Sequence, residues 1–274
     1  MVCDMKEIQI RKNDAGQRLD RFVGKAVPLL PESLLQKYIR LKRIKRNGKG
    51  AKRDVRLVEG DVLQLYINDE FFERPTEQNA WLKIATPRLD IVYEDENILL
   101  ADKKPGVLCH SAGEWSWDTL ISNIQAYLRQ TGQWDPKAEN AFTPALCNRI
   151  DRNTGGIVIA AKNAEALRIM DEKVKNREIE KIYLAAVVGT PRPAAGRLEG
   201  YLFKDAKNNQ VYVYDAPRTG AKTAVTEYKT ITSDGRLTLV ECRLITGRTH
   251  QIRAQMAAAG HPLLGDGKYG KLDK

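Results

Sequence analysis

The apolar residues of this chain come in short runs. Residues 157–161 and 184–188, five each, are among the longest, far below the ~20 that a membrane-spanning helix needs. A chain patterned in this way builds its core from many small pieces. Residues 156–161 and 181–188 read as buried strands, and 223–228 and 237–244 as two more. A further pair, 89–92 and 97–101, meets at Glu94-Asp95-Glu96. Helices are expected where Asp118 caps a segment carrying Leu120, Ile121, Ile124 and Leu128, and where Asn163 caps one running through Met170 and Val174. A last helix is expected over 248–259, stopped by Gly260. Strands outnumber helices and follow no regular βαβ order, so the fold class is α+β.

The charge is unevenly placed. The chain of 274 residues has a net charge of +10, a surplus that favours a polyanionic partner and nucleic acid before membrane. Residues 37–56 hold ten basic side chains against one acid, Asp54. Such a run is a solvated face unless structure frames it. Here it is framed. Leu19, Phe22, Val23 and Val27 recur at helical spacing, as do Leu34, Leu35, Tyr38 and Ile39, and Pro31-Glu32-Ser33 suits a helix start. Asn47-Gly48 is a tight turn, and Val55, Leu57, Val62, Leu63, Leu65 and Ile67 read as short strands about Glu59-Gly60-Asp61. Two helices and a hairpin thus present Lys37, Arg40, Lys42, Arg43, Lys45, Arg46, Lys49 and Lys52 on one edge, a natural seat for a phosphate backbone. Residues 73–87, with Pro75 and Pro87, read as a linker. The expected organisation is an RNA-binding domain over 1–72, this linker, and a larger domain over 88–274.

Other chemistries find little support. Cys3, Cys109, Cys147 and Cys242 include no CxxC pair, and His110, His250 and His261 form no compact ligand set. Neither a disulfide framework nor a metal site is expected, and reduced thiols point to the cytoplasm. The N-terminus has no apolar signal-peptide core, so secretion and membrane insertion are not expected.

Three polar segments carry the remaining interest. In Arg149-Ile150-Asp151-Arg152-Asn153-Thr154-Gly155-Gly156 an aspartate lies between two arginines ahead of a buried strand. It reads either as a structural ion pair before a turn or as a carboxylate held anionic by its neighbours, ready as nucleophile or base. In Thr246-Gly247-Arg248-Thr249-His250-Gln251-Ile252-Arg253, Arg248 opens a helix and its guanidinium is free to reach a carboxylate. In Lys181-Ile182-Tyr183, strand alternation puts Lys181 and Tyr183 on one face. There the tyrosine is either core packing or part of a site.

Taken in order, Tyr93-Glu94-Asp95-Glu96-Asn97-Ile98-Leu99-Leu100, Lys104-Pro105-Gly106, the Asp151 segment, Lys181-Ile182-Tyr183, the Arg248 segment and Gly260-His261-Pro262-Leu263-Leu264-Gly265-Asp266 resemble the motifs of the RluA-type pseudouridine synthases. The N-terminal module resembles the S-four-type RNA-binding domain, with Arg18-Leu19-Asp20, Asn47-Gly48-Lys49 and Gly60-Asp61 at its landmarks. The resemblance implies a catalytic domain on a mixed, mainly antiparallel sheet with flanking helices. It implies Asp151 as the group that attacks or deprotonates the ribose of the target uridine. Tyr183 would pack on the base and help remove the C5 proton, and Arg248 would pair with the aspartate. Arg149 would fill the space left by the flipped nucleotide, Ile252 would line the uracil pocket, and Thr154 would sit with them in the substrate site. Because the base is detached, turned and reattached, no atom is supplied from outside and no cofactor is expected. The flipped uridine costs a few kcal/mol of stacking.

Three features depart from the family pattern. Asn148 and Ile150 stand where histidine and leucine are common, and Gly155 where serine is. Relatives usually carry further strands past Gly265-Asp266, so the catalytic domain is expected to be cut short at Lys274. The implied enzyme is a cytoplasmic monomer acting on RNA, and the pairing of modules points to large-subunit ribosomal RNA. The alternatives are a non-catalytic RNA-binding or ribosome-assembly factor, and a hydrolase using Asp151, which would need a second carboxylate.

Overall fold

Alternation and turn chemistry account for most of the architecture. In the computed structural model, which describes residues 5–72, 80–111 and 117–270, the strands form three sheets, and every strand pairing among these residues is antiparallel. The class is α+β. Packing divides the chain into two compact units, Met1–Glu172 and Lys173–Lys274. Part of the expected linker, residues 73–79, lies outside the described residues.

The first unit begins with β1 (Lys6–Gln9), α1 (Leu19–Ala26), α2 (Glu32–Arg40), β2 (Ile44–Arg46), β3 (Lys49–Gly50) and β4 (Val62–Leu65), in the sheet order β1-β4-β2-β3. Leu19, Phe22 and Val23 of α1 and Leu35, Tyr38 and Ile39 of α2 close over this sheet in one cluster with Ile44, Leu57, Leu63 and Leu65. Asn47 and Gly48 both have positive φ (49° and 77°), which the tight β2–β3 hairpin requires.

The same unit continues with β5 (Ile91–Glu94), β6 (Ile98–Lys103), α3 (Leu120–Gln130), β7 (Ala145–Leu146), β8 (Gly156–Ala161) and most of α4 (Ala164–Lys175), with the sheet order β5-β6-β8-β7. Leu99, Ala101, Val158 and Ala160 point from this sheet to Leu120, Ile124 and Leu128 of α3. The cap of α3 is Thr119, whose side chain accepts the Ser122 amide, whereas the expected cap, Asp118, accepts from the Asn123 side chain at 2.7 Å. Asn163 caps α4 as expected, accepting the Ala166 amide at 2.8 Å.

The second unit is a five-stranded sheet, β11-β10-β12-β13-β9, built from β9 (Ile182–Val188), β10 (Ala195–Asp205), β11 (Gln210–Tyr214), β12 (Lys222–Ser233) and β13 (Leu237–Leu244). Helix α5 (Gln251–Ala258) covers one face, where Ala185, Val187, Val240 and Cys242 meet Met256. The helix starts three residues later than expected, because His250 adopts a left-handed conformation at φ 53° and holds residues 248–250 outside it.

Candidate active site

Asp151 lies on the loop between β7 and β8, and this loop is held at many points. The Cys147 amide donates to the Ile159 carbonyl at 2.7 Å, and Asn148 Oδ1 accepts the Ile159 amide at 2.8 Å. The Thr154 amide closes a turn onto the Asp151 carbonyl at 3.1 Å. A second loop, residues 104–110 after β6, runs beside the first. The Gly106 amide donates to the Arg152 carbonyl at 2.8 Å, and Arg152 Nε returns a bond to the Gly106 carbonyl at 3.0 Å. The Cys109 thiol points at the Ile150 carbonyl at 3.4 Å. A Cβ on Gly155 would meet the Pro105 ring at 3.2 Å, so the two loops touch at this glycine.

Lys103 ties the crossing together, although the motif visible in the sequence begins only at Lys104. It is the last residue of β6, where Leu99, Ala101 and Lys103 all face inward, and it is 1% exposed. Its ammonium donates to the carbonyls of Val107 (2.9 Å), Arg152 (3.0 Å) and Lys104 (3.1 Å). Burial pushes the Lys103 ammonium down, opposed by Cys109 and Asp151. A cation is therefore fixed beneath the aspartate loop, bonded one residue away from Asp151. Arg149 is exposed, and partial burial together with the Arg149 charge pushes the His110 imidazole down. Lys104 faces outward, paired with Asp90 at 2.7 Å and Asp102 at 3.2 Å.

In the second unit Tyr183 and Ile252 pack against the same cluster, which joins β9 to α5. Tyr183 is half-buried on the face it shares with Ala185 and Val187. Arg248 is exposed, and its Nε donates to the Thr223 carbonyl at 3.0 Å. Lys181 Nζ stands 3.6 Å from where a Gly247 Cβ would be. Burial, then Arg177 and Arg248, push the Lys181 ammonium down, so positive charge gathers at this end of β9. The six substrate-site candidates thus fall into two groups, Arg149, Asp151 and Thr154 in the first unit and Tyr183, Arg248 and Ile252 in the second.

The basic candidates divide by use. Lys37, Arg40, Lys42, Lys49 and Lys52 are exposed. Arg43 lies over the Tyr38 ring at 4.5 Å and Lys45 over Tyr66 at 5.1 Å. Arg46 Nε comes within 2.7 Å of the buried Asp61 carboxylate, an ion pair off the line of a hydrogen bond. A groove of about 550 Å³ lies between α2 and residues 51–54, lined by Arg40, Lys52 and Arg53 with Gln36, Ile39 and Asp54.

Other reactive groups are muted. Burial pushes Cys147 up to about 11 and Cys242 up to about 12, so neither offers a thiolate. Among the described residues no three His, Cys, Asp or Glu side chains are grouped to hold a metal ion, and no helix is long and apolar enough to cross a membrane. Gly265, Gly267 and Gly270 have G-x-G-x-x-G spacing. They follow α5 rather than a strand, so this is not the phosphate turn of a dinucleotide fold.

Residues 97–258 match the model of the RNA pseudouridylate synthase family. The chain is 32% identical, over 98% of its length and 79% of the relative's, to an uncharacterized RNA pseudouridine synthase of Chlorobaculum parvum. It is 28% identical, over its whole length and 81% of the relative's, to the ribosomal large subunit pseudouridine synthase D of Borreliella burgdorferi. Among solved structures, the human RNA pseudouridylate synthase domain containing 4 superposes with a TM-score of 0.57 at 25% identity, over 72% of this chain and 74% of that one.

Proposed function

This chain belongs to the RNA pseudouridine synthases, isomerases acting on RNA, and from that premise we propose that it converts specific uridines of large-subunit ribosomal RNA to pseudouridine, with Asp151 as nucleophile or base. The observation that carries the choice of RNA is the alignment of the whole chain with a relative named for the large ribosomal subunit.

In the proposed reaction Asp151 attacks or deprotonates the ribose and the bond between C1′ and N1 breaks. The uracil turns and C5 bonds to C1′, which releases Asp151 from the ribose or returns its proton to the sugar, after which the C5 proton leaves to solvent and N1 takes up a proton. Tyr183 stacks on the base and assists removal of the C5 proton, while Arg248 pairs with Asp151. Arg149 fills the gap in the RNA stack, and Ile252 and Thr154 line the uridine site. Preorganised charge and an excluded-water pocket are what this rearrangement demands. The exposed cations Lys37, Arg40, Lys42, Lys49 and Lys52 bind phosphates, with Arg43, Lys45 and Arg46 beside them. We assign RNA binding to residues 1–72, a linker to 73–87 and catalysis to 88–274. The apolar cluster whose buried members all lie within residues 10–67 supports that division.

Tritium release from RNA labelled at uridine C5 tests the proposal. The protein is expected to release tritium from large-subunit ribosomal RNA and leave pseudouridine at discrete positions. Asp151→Asn, which keeps the shape but removes the nucleophile, is expected to abolish release with RNA binding within a few-fold. Free uracil as the product would instead mean hydrolysis, and full turnover by Asp151→Asn would remove that residue from the chemistry.

A further inference from the structure

Gln251 is the first residue of α5 and is 2% exposed, yet its side chain makes four hydrogen bonds. Its Oε1 accepts the Arg248 amide at 3.0 Å and the Thr246 hydroxyl at 2.8 Å. Its Nε2 donates to the Val225 carbonyl at 3.0 Å and to Thr226 Oγ1 at 2.8 Å. Two accepted and two donated bonds satisfy the amide fully. Its orientation follows from chemistry, since the Arg248 amide can only donate and the Val225 carbonyl can only accept. The chain of bonds continues inward. Thr226 Oγ1 donates to Gln255 Oε1 at 2.7 Å, and Gln255 Nε2 donates to the carbonyls of Leu198 (3.1 Å) and Ala224 (3.2 Å). Thr226 and Gln255 are as buried as Gln251.

This polar ladder runs from the middle of the sheet to one backbone amide, that of Arg248. The side chain of the same arginine is anchored at Nε by the Thr223 carbonyl. Both anchors therefore return to one four-residue stretch of β12, 223–226. The turn they hold is a demanding one, with His250 left-handed and no side-chain cap on the helix. Thr246 and His250 are held separately, by the Val225 amide at 2.9 Å and the Tyr269 hydroxyl at 2.8 Å, so the Gln251 bond is what fixes the stretch between them. Resting on the proposed role of Arg248, we infer that Gln251 is a positioning residue, which sets the Arg248 guanidinium against β12 so that its terminal nitrogens are preorganised for an anion. The ladder costs no reorganisation during the reaction, which is where fixed charge is most effective.

Two glutamine variants separate positioning from stability. Gln251→Met keeps the volume and removes all four bonds. It is expected to lower kcat at least tenfold with KM for RNA within twofold. Gln255→Met, at an equally buried position, removes the bonds to Thr226, Leu198 and Ala224 but leaves all four of Gln251. It is expected to keep kcat within threefold of wild type while its thermal midpoint falls as far as that of Gln251→Met. Gln251→Met with kcat within twofold of wild type overturns the inference, and so does Gln255→Met as slow as Gln251→Met, because turnover would then follow stability alone. Amide hydrogen exchange in the unaltered protein reads the hold on Arg248 without any variant or activity. The Arg248 amide is expected to be protected like those of β12 despite its exposed side chain, and fast exchange there overturns the inference. Absence of tritium release by the unaltered protein strikes the functional reading instead, and leaves the exchange result to decide on Gln251.

Discussion

At Lys103 a charge is kept inside the protein because three carbonyls need it. Residues 104–107 and the Arg152 turn both point carbonyls inward, and the lysine that meets them is almost wholly shielded from solvent. Lys103→Met keeps the length and apolar stem but leaves those acceptors unpaired, which costs about 1–3 kcal/mol for a buried group. The expected outcome is a lower denaturation midpoint together with a loss of turnover, since the carbonyl next to Asp151 loses its anchor. A midpoint equal to wild type in chemical denaturation would show that the crossing of the two loops is self-supporting. Asp151 stands out in the sequence because arginines flank it. Lys103 is marked by a different signal, as it continues the inward alternation of Leu99 and Ala101, where an apolar residue is the rule. The neighbouring Lys104 is the more conspicuous because it begins Lys-Pro-Gly, although its own ammonium only bridges two exposed acids.

Elements are legible in proportion to how strongly their own residues speak for them. Helices α1 and α2 show a clean apolar face, and both form where the spacing places them. β10 has no such signature, whereas the Val211-Tyr212-Val213-Tyr214 run of β11 is strand-like but short. Gly196 and Gly200 interrupt β10, and Arg197 and Glu199 between them are exposed, so pairing with β12 reveals it. The delayed start of α5 comes from the left-handed turn at His250, a backbone state that no local pattern announces. At α3 the choice between two neighbouring cap candidates is settled by reach. Thr119 Oγ1 accepts the Ser122 amide at 3.2 Å and pairs with the Ser122 hydroxyl at 2.6 Å, with only 1% of the residue exposed. Thr119→Ala is expected to cost about 0.5–2 kcal/mol, the usual effect of losing a cap. Asp118→Ala should cost clearly less, because its bond is to the Asn123 side chain rather than to an orphan amide. Equal losses in urea unfolding would reassign the cap.

In the first unit, the N-terminal region is fastened to residues 138–141 rather than hinged. Asp14, fully buried, accepts the Arg11 amide at 3.0 Å and Asn140 Nδ2 at 2.9 Å. Asn13 Nδ2 donates to Glu139 at 2.9 Å, Arg11 reaches the Ala138 carbonyl, and Ala141 packs on the N-terminal core. Burial, aided by Asp14, holds the Glu139 carboxyl above its ordinary range despite Asn13 and Arg11. A carboxyl raised in the folded state weakens folding at neutral pH, and that penalty fades as pH falls through the folded value. Glu139→Gln is therefore expected to raise the thermal midpoint at pH 7, with a gain that shrinks towards pH 4. Asp61 has the opposite sign. Burial alone would raise it, but the Arg46 guanidinium, the Val58 amide and Asn47 together hold it below the carboxylate range. Its contribution is present at neutral pH and is lost as the solution is acidified below about 4. That contrast separates the basic residues by task. Replacing exposed Lys37, Arg40, Lys42, Lys49 and Lys52 by serine should leave the thermal midpoint nearly unchanged. If these cations bind RNA phosphates, each one removed should lower the slope of log affinity against log salt by about 0.7–0.9. Arg46→Ser should instead cost on the order of 2–3 kcal/mol of stability by stranding the buried Asp61. RNA titrations at several salt concentrations, run beside thermal melts of the same variants, make the comparison. If the five-serine variant kept its affinity and slope, the basic edge would be a solvated face, and RNA selection would have to come from the catalytic region.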